Sequence, residues 1–343
     1  MIEVFEQILI EVETGSIIRP FSESAQVICR GYSLRLQRAI TDFGADVSFG
    51  RIPKKLKEHY GIEVPVSSSR QIIYRHAEQI FEEQQIKGEI KDAEGVKVLI
   101  GEMDGSMVPI VETGSDEKAD NRKEKKAFWR EARLCLVHEQ GRVEPIFGAT
   151  MGSVDDAGDQ LANCAIRAGC GSNTKLHFVG DGAKWIAEQT ERVFGVQASY
   201  LVDLYHLCEY LSSAADICAP EDKRGWLAIQ KKRMENNYSD EVLKALEPNL
   251  EAEKVPNQQA PVRACYRYII NRPGQFNYKQ ALEAALPIGS GEIESAHRYV
   301  IQERLKIPGA WWQINNAQNM IALRVLRANN DWEDYWKKVR LVA

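Results

Sequence analysis

The chain has 343 residues and a mass of 38.8 kDa, enough for two or three units that each bury a core. Hydrophobic residues at 44% and charged residues at 27% exclude a disordered chain. There is no apolar run of the roughly 18 residues a membrane span needs and no basic leader, so the expected partner is not a membrane and the expected location is cytoplasmic.

The net charge of −5 is unpromising for a phosphate-binding protein, but it averages over a local excess. Residues 30–80 carry nine Lys or Arg against five acids, a net +4 that leaves −9 for the remainder. Seven cysteines, at 29, 135, 164, 170, 208, 218 and 265, are scattered without a C-x-x-C pair and read as reduced, mostly buried thiols.

In chain order, residues 1–92 read as a helical N-terminal domain. Ile52, Leu56 and Tyr60 keep helical spacing, the stretch 61–66 breaks it, and Ser67 or Ser68 is placed to cap a second helix carrying Ile72, Ile73 and Ile80. This is a helix-turn-helix pattern, and in it Ser69, Arg70, Tyr74 and Arg75 fall on or near the face that would enter a major groove. An ordinary amphipathic hairpin whose basic residues solvate it fits the segment equally well.

From Val96 the pattern turns to strands. Residues 96–100 run on toward Asp104, and 134–137 and 144–148 follow with a turn at 139–142. Between the first two strands, Lys118, Arg122, Lys123, Lys125, Lys126, Arg130 and Arg133 alternate with acids and read as a solvated loop and helix, with phosphate contact as the alternative. A helix over 154–168, a strand at 176–179, a helix over 183–194, a strand at 198–202 and a helix over 203–217 complete the order βββαβαβα. That is the order of the ribonuclease H fold, an α/β fold with a mixed sheet. Residues 220–285 show helical periodicity alone and look like an insertion.

Three acids stand beside glycine where a strand ends or a helix begins: Asp104 in Met103-Asp104-Gly105, Asp181 in Gly180-Asp181-Gly182, and Glu294 in Gly291-Glu292-Ile293-Glu294-Ser295. Neighbouring carboxylates repel unless a divalent cation lies between them, which is the physical reason to read them as ligands. Singly each has a plainer explanation, a turn for Asp-Gly and a helix-capping acid for Glu294.

Asp203-Leu204-Tyr205-His206, the block Gly180–Ile186, and Pro287–Ser295 continuing to Arg304-Leu305-Lys306 and Trp311-Trp312 together resemble DDE transposases of the Kra-type bacterial insertion sequences, relatives of the Mutator-like group. The resemblance spans roughly residues 95–340. It implies a ribonuclease H-like catalytic core over 95–217, a helical insertion over 218–285, and a return segment over 286–343. It further implies Asp104, Asp181 and Glu294 as ligands of two Mg²⁺ or Mn²⁺ ions. The corresponding partners are double-stranded DNA, both element ends and target, with a homodimer in the synaptic complex and a nucleoid-associated location.

The family places its last acid immediately before serine, which selects Glu294 over Glu292, about 200° away on a helix. His297 is expected in a surface or capping role or beside the site. Asp203 and His206 are expected on one helix face, Asp203 fixing the His206 tautomer; they support the metal site, touch DNA, or tie the insertion to the core. Trp226 is expected either to stack on an unpaired base or to sit in the insertion's core. Arg298, Arg304 and Lys306 are expected to hold the DNA backbone. A transposase retained by its host as a DNA-binding protein is one alternative. A haloacid dehalogenase-type phosphatase is the other, although Asp104-Gly105-Ser106 lacks that class's D-x-D nucleophile motif.

Overall fold

The computed structural model describes residues 7–12, 14–24, 27–28, 31–90, 92–113 and 125–342. The chain divides into two compact units, one drawn from Met1–Ile86, Met107–Glu131 and Arg298–Ala343, the other from Lys87–Ser106 and Ala132–His297.

In chain order the elements begin with β1 (Leu9–Ile10), β2 (Ile17–Ile18), α1 (Pro20–Ser24), β3 (Val27–Ile28) and β4 (Tyr32–Ser33). The helices α2 (Leu34–Asp46), α3 (Ile52–Tyr60) and α4 (Val66–Gln84) follow. The α/β region comprises β5 (Val98–Thr113), β6 (Lys125–Glu139), β7 (Ile146–Thr150), α5 (Val154–Arg167), β8 (Lys175–Gly180), α6 (Lys184–Phe194), β9 (Ala198–Val202) and α7 (Leu204–Cys218). Next come α8 (Lys223–Glu235), α9 (Ser239–Leu246), α10 (Pro261–Ile270) and α11 (Tyr278–Glu283). The chain closes with α12 (Gly291–Ala296), a π-helical stretch His297–Gln302, α13 (Glu303–Leu305), α14 (Ile314–Ala328) and α15 (Trp332–Val342).

In the first unit the buried residues of α3 and α4 recur at helical spacing, Ile52 and Leu56 in one and Ile72, Ile73, Ala77 and Ile80 in the other. Gly61 ends α3 in the left-handed region at φ 64°, donating its N–H to Lys57, a conformation that costs glycine least. The second helix starts at Val66 behind Pro65, one to two residues before the serines expected to cap it.

The second unit holds the parallel part of the sheet. The strand order is β7-β6-β5-β8-β9, with β6 and β7 antiparallel and β5, β8 and β9 parallel. This is a mixed sheet in the expected element order. Both long strands exceed expectation: β5 runs on to Thr113, and 125–133, expected as loop and helix, is β-strand. Lys118, Arg122 and Lys123 of that basic cluster lie outside the described residues, as does Cys29. One sheet face carries Leu99, Met103, Cys135, Val137, Leu176 and Phe178 and packs with Leu161, Cys164, Ile186 and Phe194 of α5 and α6. The helices α8 to α11, expected as an insertion, share a second core with α7, built on Leu207, Leu211, Met234, Val242, Cys265 and Tyr278. The six described cysteines are unpaired. Among the described residues no helix is long and apolar enough to cross a membrane.

Candidate active site

Alternation along β5 puts Ile100, Glu102 and Asp104 on the face opposite the α5 and α6 core. The register then fixes their neighbours: Ile100 faces His177, Glu102 faces Val179, His177 faces Ser199, and Val179 faces Leu201. Carried two residues further, the same register would set Asp104, inside β5, in one row with Asp181 and Asp203, which directly follow β8 and β9. The Asp203 amide still donates to the Gly180 carbonyl at 2.7 Å, so the pairing of β8 and β9 persists into that row.

The row is held differently at each position. Asp104 is partly exposed; its Oδ1 accepts the Gly105 amide at 2.7 Å and its Oδ2 lies 3.2 Å from His297 Nε2. The Oδ1 of Asp181 accepts the Ala183 amide at 2.7 Å. The Asp181 loop is also gripped from the insertion, where the Tyr268 hydroxyl donates to the Asp181 carbonyl at 2.6 Å and Arg272 Nε donates to the Gly182 carbonyl at 2.7 Å. Arg272 stacks 3.9 Å over the Tyr268 ring, and burial pushes that tyrosine's pKa up. Neither residue is singled out by its sequence context, because a Tyr on an amphipathic helix and an Arg in the turn after it look like any others.

Asp203 is buried. Its Oδ1 accepts the Tyr205 and His206 amides at 2.6 and 3.1 Å as the N-cap of α7. Its Oδ2 accepts both the amide and the hydroxyl of Ser290, at 2.6 and 2.7 Å. This corrects the expectation that Asp203 sets the His206 tautomer from the same helix face: Asp203 lies ahead of the helix, and the His206 ring is directed to Glu209, with Nδ1 to Oε2 at 3.5 Å. A Cβ on Gly289 would fall 2.7 Å from the Tyr205 ring, so any larger residue there would have to displace that exposed ring.

Beneath Asp104 lies Glu102, an acid the sequence reading passed over. It is 2% exposed and its Oε2 accepts the Ile293 amide at 2.8 Å. Burial pushes its pKa up to about 8 against the opposing Ile293 hydrogen bond, and the charges of Glu292, Asp203 and Glu294 add to the rise. Its signal was a carboxylate two residues before Asp104, on a face that alternation buries.

Ile293 points inward, and the two acids beside it diverge. Glu292 Oε2 lies 3.3 Å from Nε2 of the buried His138, while Glu294 is exposed, one turn before His297. His297 is itself 3% exposed, which corrects the surface or capping role expected for it. Among the described residues no three His, Cys, Asp or Glu side chains converge closely enough to hold a metal as they stand. The donor chemistry of Asp104, Asp181 and Glu294 nevertheless suits a hard divalent cation: all are carboxylates, and each aspartate gives one oxygen to a backbone amide, the other oxygen of Asp104 standing against His297. A cavity of about 1040 Å³ opens near the starts of these strands, beside Val98, Lys175 and Ala198, away from the acidic row.

The expected DNA contacts divide. Arg70, Arg75 and Arg298 are exposed, and Tyr74 and Lys306 are half-buried. Ser69 is fully buried, a correction whose cause is its place three and four residues before Ile72 and Ile73 on the same apolar stripe. Arg304 is also buried, again contrary to expectation: its Nε donates to the Gly44 carbonyl at 2.9 Å and its guanidinium stacks on Phe49 and Trp312 at 4.8 and 4.9 Å. Trp226 is half-buried against the insertion's core.

A mixed five-stranded sheet with aspartates in and just beyond its parallel strands, and a helix bearing further acids fastened to Glu102, defines an α/β protein with an acidic face. The family described as Uncharacterised protein family (UPF0236) matches residues 48–342, and the chain belongs to it. Two UPF0236 proteins of Caldanaerobacter subterraneus subsp. tengcongensis are each 27% identical over 281 residues, covering 77% of this chain and 54% and 51% of their own lengths. A third from the same organism is 26% identical over 279 residues, covering 77% of this chain and 54% of its own. The chain thus spans about half the length of the curated relatives it matches. Among solved structures, the Drosophila P element transposase strand transfer complex aligns over 90% of this chain and 81% of that chain at 11% identity, with a TM-score of 0.30.

Proposed function

We propose that the chain is a DDE transposase akin to those of the Kra-type insertion sequences, with a ribonuclease H-like core, a helical insertion and an N-terminal helix-turn-helix domain. The observation that carries this reading is the parallel register of β5 on β8, Glu102 opposite Val179, which two residues on directs Asp104 toward Asp181, with the helix of Glu294 fastened over the same sheet face. Asp104, Asp181 and Glu294 would hold two Mg²⁺ or Mn²⁺ ions. When bound, such ions activate water or a 3′-hydroxyl for attack on a phosphodiester and stabilise the departing oxygen.

The chain's own residues do the arranging. Tyr268 and Arg272 fix the backbone that presents Asp181. His297 stands against Asp104. The exposed Arg70, Arg75 and Arg298, with Tyr74 and Lys306, supply contacts to double-stranded DNA, element ends and target alike. A homodimer would bring two such ends together. The relatives' names support a mobile element, since they join four, two and eleven locus labels of one genome, the pattern that a multicopy sequence leaves.

The test is a strand-cleavage assay beside a binding assay, on duplexes carrying the inverted repeats that flank the gene. Metal-dependent nicking at the repeat ends is expected. Binding without cleavage would replace this reading with that of a host-retained DNA-binding protein, and neither activity would overturn it.

A further inference from the structure

The helix that carries Glu294 begins without a side-chain cap of its own. Ser290 is its N-cap residue, yet the Ser290 hydroxyl makes no bond into the first turn and donates instead to Asp203 Oδ2 at 2.7 Å. First-turn amides have no carbonyl partner within a helix, so a buried one needs an acceptor from elsewhere. Here the acceptor for Ile293 comes from the sheet, as Glu102 Oε2 at 2.8 Å, with both residues buried.

We propose that Glu102 is a positioning residue: it caps the Glu294 helix from the neighbouring strand and, with Asp203, fixes the helix's rotation over the acidic row. Two carboxylates from two strands grip two amides of one short segment, Asp203 taking Ser290 and Glu102 taking Ile293 three residues on. One grip would hold the segment's position and leave it free to turn. Two, spaced almost one helical turn apart, also hold its angle. Because Ile293 lies between Glu292 and Glu294, holding its position sends one acid toward His138 and leaves the other exposed one turn before His297, which itself contacts Asp104. The strand that supplies the first acid of the row thereby sets the orientation of the last. The catalytic consequence rests on the proposed transposase reaction, whereas the cap does not.

Residue-resolved amide exchange on the full chain separates the two. Glu102→Gln keeps a carbonyl acceptor of the same reach, and Glu102→Met keeps the length and removes the acceptor. The Ile293 amide should be protected in the wild type, within about threefold of that in E102Q, and at least about tenfold faster in E102M while the amides of β8 hold their rates. Strand cleavage should follow the same order, with E102Q near wild type and E102M reduced at least about tenfold. An Ile293 amide exchanging equally in wild type and E102M, or as fast in E102Q as in E102M, overturns the proposal. If E102M does not fold, the wild type and E102Q decide alone, since an Ile293 amide exchanging at the rate of an unstructured peptide in either overturns it. Should the folded protein cleave no repeat-bearing DNA, the transposase reading falls and the exchange result still decides the cap.

Discussion

His297 Nε2 stands 3.2 Å from Asp104 Oδ2, linking the helix that carries Glu294 to the strand that carries the first acid of the row. Neither ring nitrogen of this buried histidine has an aligned hydrogen-bond partner, so the contact with Asp104 is its principal polar one. A buried imidazole left this way is held by its surroundings for a position more than for a bond.

A divalent cation among these carboxylates would relieve their mutual repulsion, so binding should stabilise the fold. At a metal concentration a hundred times its dissociation constant the gain is about 2.7 kcal/mol. Scanning calorimetry in Mg²⁺ or Mn²⁺ against EDTA should show a raised melting temperature for the wild type and little change for Asp104→Asn. Identical melting in metal and in EDTA would count against a metal at this centre.

Catalysis and DNA affinity should separate. Asp181→Asn alters a carboxylate whose loop is held from behind by Tyr268 and Arg272, so the surface survives. Cleavage should fall by roughly a thousandfold with DNA affinity unchanged. Arg70→Ala and Arg75→Ala should weaken binding and lower its salt dependence by about one counterion each. A mobility-shift series in which Asp181→Asn alone abolishes binding would refute this division.

Arg304 makes a different prediction from its exposed neighbour Arg298. Burial holds its guanidinium down at about 10, still protonated at neutral pH, and it joins Gly44, Phe49 and Trp312. Arg304→Ala should lose about 2 to 4 kcal/mol of stability, from the broken hydrogen bond, the stacking on two rings and the space left behind. Urea denaturation measures that loss. DNA affinity per folded molecule should stay at the wild-type level, and a selective loss of affinity at unchanged stability would restore the phosphate-binding role.

Part of the candidate centre was legible because an acid beside glycine stands out in a strand pattern, although Asp104 lies inside β5 and not at the strand end expected for it. Asp104 and Asp181 each sit next to glycine after an apolar run, and the element order brings their strands together. What escaped lay inside elements. Glu102 is surrounded by strand residues, and only the parity of Ile100, Glu102 and Asp104 shows that it shares the acidic face. Tyr268 and Arg272 reach Asp181 across nearly ninety residues of sequence, a contact that no local pattern encodes. Ser69 was misplaced because a serine beside an arginine looks polar and exposed, whereas its spacing from Ile72 and Ile73 made it part of the buried stripe. The continuation of β5 and the start of β6 were hidden by charges that obscure a two-residue alternation.

The first unit should be sensitive to mild acid through His76. Its Nδ1 lies 2.7 Å from the Tyr335 hydroxyl and its Nε2 3.0 Å from Gln37 Oε1, and burial holds its pKa down at about 4, with Arg75 adding to the depression. In the unfolded chain the ring takes its proton near pH 6.5. Between pH 6.5 and 4 the unfolded state therefore binds a proton that the fold refuses. Stability present above pH 6.5 is lost as the pH falls toward 4, by about 3 kcal/mol from this group. Denaturation at pH 7 and at pH 4.5 should show a smaller difference for His76→Gln than for the wild type. Equal pH dependence in the two proteins would remove His76 as the cause.

The sharpest expectation concerns the two acids on either side of Ile293. Residues two apart on a helix point about 200° apart, and the inward grip on the Ile293 amide leaves no rotation in which both face one point. Glu292 is directed to His138, at 3.3 Å, and is half exposed, so Glu292→Gln keeps a polar group of the same reach there and should keep cleavage within about threefold. Glu294 lies three residues before His297, which contacts Asp104, and on the proposed reading Glu294→Gln should cost roughly a thousandfold, as Asp181→Asn does. One cleavage assay on both variants decides the matter, because the two outcomes differ by orders of magnitude. An inactive Glu292→Gln beside an active Glu294→Gln would mean that the helix turns its other flank to the metals, and that the contact between His138 and Glu292 belongs to the centre itself.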